Sequence, residues 1–121
     1  MPPEGRTFAV VIDQARLDED LAHNTAAAAV TGRAAAERFH RRGIARSLLY
    51  PCRTEDREGI NLPGCIKTYL PDVNGAWGMV FALRADRRHV YLELLAFGQG
   101  HPTRPTTPSV YAVAARRLAH L

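Results

Sequence analysis

Three successive strand patterns followed by a helix pattern fill the second half of the chain, and this order restricts the possible folds most strongly. Residues 64–70 alternate in polarity, while residues 77–84 and 90–97 are rich in aromatic and aliphatic side chains. Runs of this kind, bounded by Gly, Pro and Asn, favour strands. Residues 71–75 and 85–88 are predicted as the turns between them. The sequence therefore predicts a meander of antiparallel strands.

A short basic helix is predicted to follow the third strand. Residues 98–107 are rich in Pro and Gly and are read as a loop. Thr107 is predicted to cap the helix, with Pro108 at its first position, where a missing amide hydrogen has no consequence. Tyr111 then lies in the first turn.

The first half of the chain predicts one strand and then helices. The β-branched run Thr7–Ile12 favours a strand, and Asp13 is a suitable cap for a helix that begins at Gln14. The alanine-rich sequence that follows favours helix and ends at Gly43, a natural stop. Gly32 interrupts it, so the pattern fits either two helices or one broken helix.

These elements define a fold class. Residues 44–50 fit either a last helical turn or an extended strip, and residues 51–64 are read as a loop. A strand, helices, three strands and a final helix predict an α+β fold with a small, mostly antiparallel twisted sheet. The length of 121 residues predicts one domain, residues 1–121.

Charge and composition narrow the class of partner. The net charge is +4, with fifteen arginines and a single lysine. A basic protein favours acidic partners such as nucleic acid, although a generally arginine-rich proteome would give the same balance. No apolar run approaches the roughly 20 residues that span a bilayer, so we expect a cytoplasmic protein without membrane contact. Cys52 and Cys65 lack metal-ligand spacing, which predicts two part-buried thiols and no metal site.

Lys67 and Tyr111 are the leading candidates for chemistry. Lys67 is the only lysine, and strand alternation predicts that it shares a face with Tyr69. A solvated charge at a sheet edge is the alternative for Lys67, and a packing role is the alternative for Tyr111. A phenol with a pKa near 10 is a poor base at pH 7 unless adjacent cations favour its ionised form. Arg104 and Arg117 are further candidates for such cations.

Two other observations bear on the possible chemistry of the chain. His101 lies in the loop before the last helix, and histidine can act as an acid or a base near neutral pH. The sequence has no phosphate-binding GxxxxGK[ST] loop, no GxGxxG fingerprint, no GxSxG and no HExxH. No cofactor is therefore expected.

Four segments of the second half resemble the RelE/ParE toxin family. They are LPGCIKTYL (62–70), AWGMVF (76–81), VYLELLAFG (90–98) and PSVYAVAARRL (108–118). The resemblance implies a small sheet with two N-terminal helices on one face and the last helix near the active groove. It also implies a toxin paired with an antitoxin that covers the basic groove.

The RelE branch implies a ribosome-dependent endoribonuclease that cuts messenger RNA in the A site without a metal. The ribose 2′-hydroxyl attacks its own 3′-phosphate, which requires a base, cations around the phosphorane and an acid. Lys67 and Tyr111 match family positions associated with catalysis. His101 or Arg104 would replace the arginine that the family carries near Gly100.

Other positions depart from the family pattern. Tyr69 stands where a second lysine is common, and Gly78 stands where an arginine clamps phosphate. An aromatic side chain at Tyr69 is suited to stacking on an RNA base. The residues expected to contact RNA are Tyr69, Arg84, Arg116 and Arg117.

Two alternative functions stay open at this point. The ParE branch inhibits DNA gyrase without cutting RNA, and the depleted cations at Gly78 and Tyr69 favour it, whereas Tyr111 does not. The other alternative is a non-catalytic interaction module on the same fold, or an unrelated α+β domain.

Overall fold

A single mixed sheet organises the protein. The computed structural model describes residues 6–52, 59–70, 77–102 and 107–121. The strands are β1 (Thr7–Ile12), β2 (Ile44–Ala45), β3 (Tyr50–Pro51), β4 (Cys65–Tyr69), β5 (Trp77–Ala85) and β6 (Val90–Gln99). The helices are α1 (Gln14–Ala22), α2 (Ala26–Arg42) and α3 (Val110–Leu118).

The strands lie in the order β2-β1-β6-β5-β4-β3. β4, β5 and β6 pair antiparallel in sequence order, as the meander predicts. β1 is parallel to β6, with Ala9 opposite Tyr91 and Ile12 opposite Leu94. The α+β class is therefore confirmed, and among the described strands only β1 and β6 pair parallel. The predicted turn at 71–75 lies outside the described residues.

The segment 44–50, which the sequence left undecided, joins the two edges of the sheet. β2 pairs with β1 at one edge and β3 pairs with β4 at the other, with a 3-10 turn at Arg46–Leu48 between them. Five gaps between neighbouring strands span about 24 Å in a flat sheet. The five residue steps from Ala45 to Tyr50 reach at most about 18 Å. The sheet must therefore curl so that its edges approach each other.

Local capping explains how α1 begins. The Asp13 carboxylate accepts hydrogen bonds from the amides of Ala15 and Arg16 at 3.0 and 3.3 Å. This cap confirms the predicted start of the first helix. Thr25 caps α2 in the same way, with its hydroxyl accepting from the Ala28 amide at 3.2 Å.

The break between the helices falls at residues 23–25, before Gly32. Gly32 lies inside α2, so the prediction that it interrupts the helix is wrong. A β-carbon at Gly32 would stand 2.6 Å from Cζ of the buried Phe97 ring. Glycine is present here because helix and sheet approach closely, which is a tertiary requirement that propensity does not report. Gly43, with φ +76°, ends α2 as predicted.

Substitution of Gly32 by alanine tests this close approach. Alanine favours an exposed helix interior by about 1 kcal/mol over glycine, but overpacking a core costs typically about 1–3 kcal/mol. We expect Gly32→Ala to lower the free energy of unfolding in urea, and Phe97→Leu in the same chain to restore part of it. A more stable Gly32→Ala variant would contradict the packing seen here.

Apolar side chains fill both faces of the sheet. On one face, α1 and α2 pack against strand residues that include Met79, Phe81, Leu92 and Phe97. On the other face, the core residues are Leu62, Cys65, Val80, Ala82, Leu95, Ala96, Val110, Tyr111 and Ala114. Alternation along β4 and β5 assigns each strand residue to its face. α3 thus lies on the opposite face from the other two helices.

The start of α3 differs from the sequence expectation. Ser109 caps the helix, with its hydroxyl accepting from the Ala112 amide at 3.1 Å, and Thr107 lies exposed outside it. Val110 then packs against the backbone of β6, where a β-carbon at Gly98 would be 3.6 Å from it. Both Thr107 and Ser109 suit a cap, and packing of the first turn on β6 selects Ser109.

A buried ion pair joins α1 to α3 where β6 extends past the end of β1. Arg117 donates to both carboxylate oxygens of Asp20 at 2.8 and 2.9 Å, in a bidentate arrangement. Arg117 also donates to the Leu95 carbonyl at 2.7 Å, and Asp20 accepts from the Phe97 amide at 2.9 Å. The two side chains thus satisfy backbone groups of β6 beyond Leu94, the last residue of β6 that pairs with β1.

Removing one member of this pair is expected to destabilise the protein strongly. Arg117→Met leaves a carboxylate buried and unpaired, which typically costs about 3–5 kcal/mol. The neighbouring, exposed Arg116→Met is the matched control, with an expected change within about 0.5 kcal/mol. Urea unfolding measures both, and equal stabilities of the two variants would contradict this role.

The double variant Asp20→Leu/Arg117→Met separates charge from backbone pairing. Apolar replacement of both partners often recovers the stability of an ordinary buried ion pair. Here the Leu95 carbonyl and the Phe97 amide lose their partners, so we expect only part of the loss to be recovered.

Candidate functional site

A small cleft opens on the α3 face of the sheet. Strands β4 and β5, the chain after β6 and the first turn of α3 enclose about 100 Å³. Its principal side chains are Lys67, Tyr69, Trp77, His101 and Tyr111. We call it the Lys67 cleft.

Strand alternation places the lysine in this cleft. Lys67 lies opposite Val80 of β5 and opposite Tyr50 of β3. Because Val80 belongs to the core under α3, Lys67 also faces α3. Its side chain is half-buried between the strand surface and the helix.

The lysine and the tyrosine singled out from the sequence meet in space. The Lys67 Nζ lies 5.0 Å from the centroid of the Tyr111 ring and 5.6 Å from that of Tyr69. A cation at this distance is attracted to the negative face of an aromatic ring. Tyr111 is buried, with 6% of its surface exposed, so its ring has a fixed position. The arrangement brings an ammonium group and a phenol together at the base of an open cleft.

An imidazole completes the polar lining. The ring of His101 is 6.4 Å from that of Tyr111, and the residue is exposed at the rim. Histidine can give or take a proton near neutral pH. The cleft therefore contains a cation and two groups capable of proton transfer. Arg104, the other candidate in this loop, lies outside the described residues.

The remaining arginines expected at the site are located elsewhere. Arg84 lies toward the far end of β5, 3.7 Å from Glu93, which also pairs with Arg16 at 3.0 Å. Arg116 is exposed on α3 and lines a separate cleft beside the end of α1. Arg117 is buried against Asp20, which corrects the expectation that it faces an RNA ligand.

Gly78 shows why the second strand carries no arginine here. A β-carbon at this position would stand 2.8 Å from the backbone oxygen of Thr68. Backbone cannot move aside as the tip of a side chain can, so this strand pairing excludes a side chain. Among the described residues that line the cleft, Lys67 is the only one with a permanent positive charge.

Alanine at Gly78 is a direct test of this restriction. We expect Gly78→Ala to destabilise the protein by about 1–3 kcal/mol, since the methyl group must displace a strand. Gly59→Ala is not a suitable comparison because that glycine has φ +63°. Val90→Ala, at an exposed strand position, is the control. An unchanged urea midpoint for Gly78→Ala would show that the two strands separate easily.

Sequence reasoning missed one aromatic residue beside the cleft. The ring of Tyr50 lies 5.2 Å from that of Tyr69, with 52° between the two planes. The strand that carries Tyr50 has only two residues, and so short a strand gives no periodic signal. In the sequence, the only sign of a role for Tyr50 was an aromatic side chain directly before Pro51.

Burial limits the reactivity of one of the two cysteines. Cys65 is buried, and Cys52 is half-buried. Burial raises the pKa of the Cys65 thiol, so less of it is present as the reactive thiolate at neutral pH. Within the described ranges, no three His, Cys, Asp or Glu side chains are grouped for a metal ion. No helix there is long and apolar enough to cross a membrane.

Comparisons with protein-family models, with curated proteins and with solved structures find no match to this chain.

Proposed function

We propose that the chain is the toxin of a toxin–antitoxin pair and acts as a ribosome-dependent endoribonuclease of the RelE kind. The contact between Lys67 and Tyr111 is the observation that carries this proposal. It joins two residues 44 positions apart that are also the two best matches to the family's site.

The proposed reaction requires no external nucleophile. The ribose 2′-oxygen attacks the adjacent phosphorus, its proton passes to a base, and the bond to the 5′-oxygen breaks as an acid protonates that oxygen. In the Lys67 cleft, the Lys67 ammonium would stabilise charge on the phosphorane. Tyr111 and His101 would transfer the protons.

The small number of charged side chains among the described lining of the cleft supports the proposed dependence on the ribosome. Removing one transition-state contact typically costs about 10²–10³ in rate. With Lys67 as the permanent cation among the described lining, we propose that free RNA reacts slowly. A ribosome that holds the codon in place would supply the missing positioning.

An antitoxin is the proposed protein partner. The net charge of +4 favours an acidic protein, and cover over the Lys67 cleft would block RNA entry. The gene next to the one for this chain is the natural candidate, and we expect it to encode a small acidic protein with a DNA-binding motif.

Gly78 favours one alternative, a gyrase inhibitor on the same fold. The strand pairing that excludes a side chain there also removes the phosphate-clamping arginine of the nuclease branch. This alternative predicts intact messenger RNA and signs of DNA damage upon expression. An interaction module without toxicity predicts normal growth.

Controlled expression with mapping of messenger 5′ ends tests the proposal. We expect new ends in phase with codons on translated messages. Lys67→Ala and Tyr111→Phe should each reduce cleavage by about 10²–10³ and relieve growth arrest, while the proteins keep their thermal stability.

Matched controls distinguish the site from general charge and ring effects. Arg88→Ala removes one positive charge at an exposed turn, and Tyr91→Phe removes a phenolic hydroxyl from β6. Both should cleave as the original chain does. Full cleavage by the Lys67→Ala/Tyr111→Phe double variant would remove both residues from the mechanism.

A further inference from the structure

Two tyrosines lie side by side on the surface next to the Lys67 cleft. Tyr50 and Tyr69 are 48% and 49% exposed, and their ring centroids are 5.2 Å apart. We call them the tyrosine pair. In contrast, Tyr111 in the same region is 6% exposed and belongs to the core. The tyrosine pair therefore leaves large aromatic surfaces in water, beside the ammonium group of Lys67.

Strand pairing holds the two rings in place. Tyr50 lies directly opposite Lys67 in the antiparallel β3–β4 ladder, and Tyr69 is its diagonal neighbour. Residues in these positions share one face of the sheet, so all three side chains lie together. The Lys67 Nζ is 5.6 Å from the Tyr69 centroid, which sets the cation close beside the pair.

Hydrogen bonds on both sides of Tyr50 fix this short strand. The Thr68 hydroxyl donates to the Leu48 carbonyl at 2.8 Å, and the Cys52 amide donates to the Cys65 carbonyl at 3.1 Å. Both bonds tie the segment to β4 or its immediate start. A binding surface on a held segment loses little freedom when a ligand arrives.

We propose that the tyrosine pair is a stacking subsite for a base of single-stranded RNA, next to the phosphate held by Lys67. This inference rests on the proposed function, because it takes RNA as the ligand of the Lys67 cleft. It adds Tyr50 as a binding residue and gives Tyr69 a partner. The aromatic face binds the base, while the ammonium binds the adjoining backbone.

The chemistry of the subsite sets its selectivity. Every base has a π-face, so stacking on tyrosine tolerates all four bases and prefers those with larger faces. Tyr69 lines the Lys67 cleft together with Tyr111 and His101, whereas Tyr50 contacts Tyr69 and is not part of the cleft lining. The tyrosine pair would therefore bind a nucleotide that flanks the cleaved bond and would position the RNA without taking part in proton transfer.

Binding of a short, fluorescently labelled 2′-O-methyl RNA tests the subsite, because 2′-O-methylation blocks self-cleavage. Fluorescence anisotropy at one fixed salt concentration gives the dissociation constant. We expect Tyr50→Ala to weaken binding about 5- to 100-fold, the loss of one base–aromatic stack. Tyr50→Phe keeps the ring and should bind as the original chain does. Tyr91→Ala is the control for loss of a tyrosine ring, because Tyr91 lies near the start of β6, opposite Arg84 of β5.

Abasic RNA distinguishes stacking from an indirect effect. One base at a time is removed along the same RNA, and each RNA is bound to the original chain and to Tyr50→Ala. At one position, removing the base should weaken binding by the original chain as much as Tyr50→Ala weakens binding of the intact RNA. Removing that base should not weaken binding by Tyr50→Ala any further. A Tyr50→Ala deficit that persists on every abasic RNA overturns the inference, as does equal binding by Tyr50→Ala and the original chain. Absence of measurable binding by the original chain also overturns it.

The cleavage assay fails or succeeds independently of this measurement. Codon-phased ends with no abasic effect would retain the nuclease and reject the subsite. An abasic effect specific to Tyr50 without cleavage in cells would retain the subsite and reject the nuclease.

Discussion

The ion pair between Asp20 and Arg117 governs how the two halves of the chain fit together. β1 ends before β6 does, which leaves the last residues of β6 without a neighbouring strand on that side. A bidentate pair fills this place and binds one carbonyl and one amide of β6. Buried backbone groups without partners are costly, so these bonds are required where a strand edge becomes enclosed.

This pair also positions the candidate site. It attaches the end of α3 to α1 across the edge of the sheet, while Val110 at the start of α3 rests on the backbone near Gly98. These two contacts restrict both ends of α3, and Tyr111 in its first turn lies beside Lys67 of β4. The contact with Lys67 depends on interactions several residues away along the helix. The site thus lies on rigid elements, which keep reacting groups in register.

Much of this architecture is readable from local patterns. Polarity patterns predict the four longer strands, and capping chemistry predicts the helix start at Asp13. The stop at Gly43 follows from the ease with which glycine adopts positive φ. Alternation along β4 predicts that Lys67 and Tyr69 share a face, as they do. The predicted helix break at Gly32 was wrong because this glycine is needed for close packing against Phe97. That contact joins residues 65 positions apart, and local sequence rules do not report such contacts. Ser109 replaced Thr107 as a cap for a similar reason, since packing on β6 chose between two suitable residues.

The sequence by itself determined the class of fold, the basic charge and the identity of the two side chains that meet in the cleft. Only the tertiary structure decided which cations remain there. Arg117 is drawn into the interior by Asp20, and Gly78 is denied a side chain by the oxygen of Thr68. Only the pairing of β3 with β4 brought Tyr50 beside Tyr69. The physical reason is that sequence periodicity shows on which face of a strand or helix a residue lies. The side chains that pack against that face come from segments far away in the sequence.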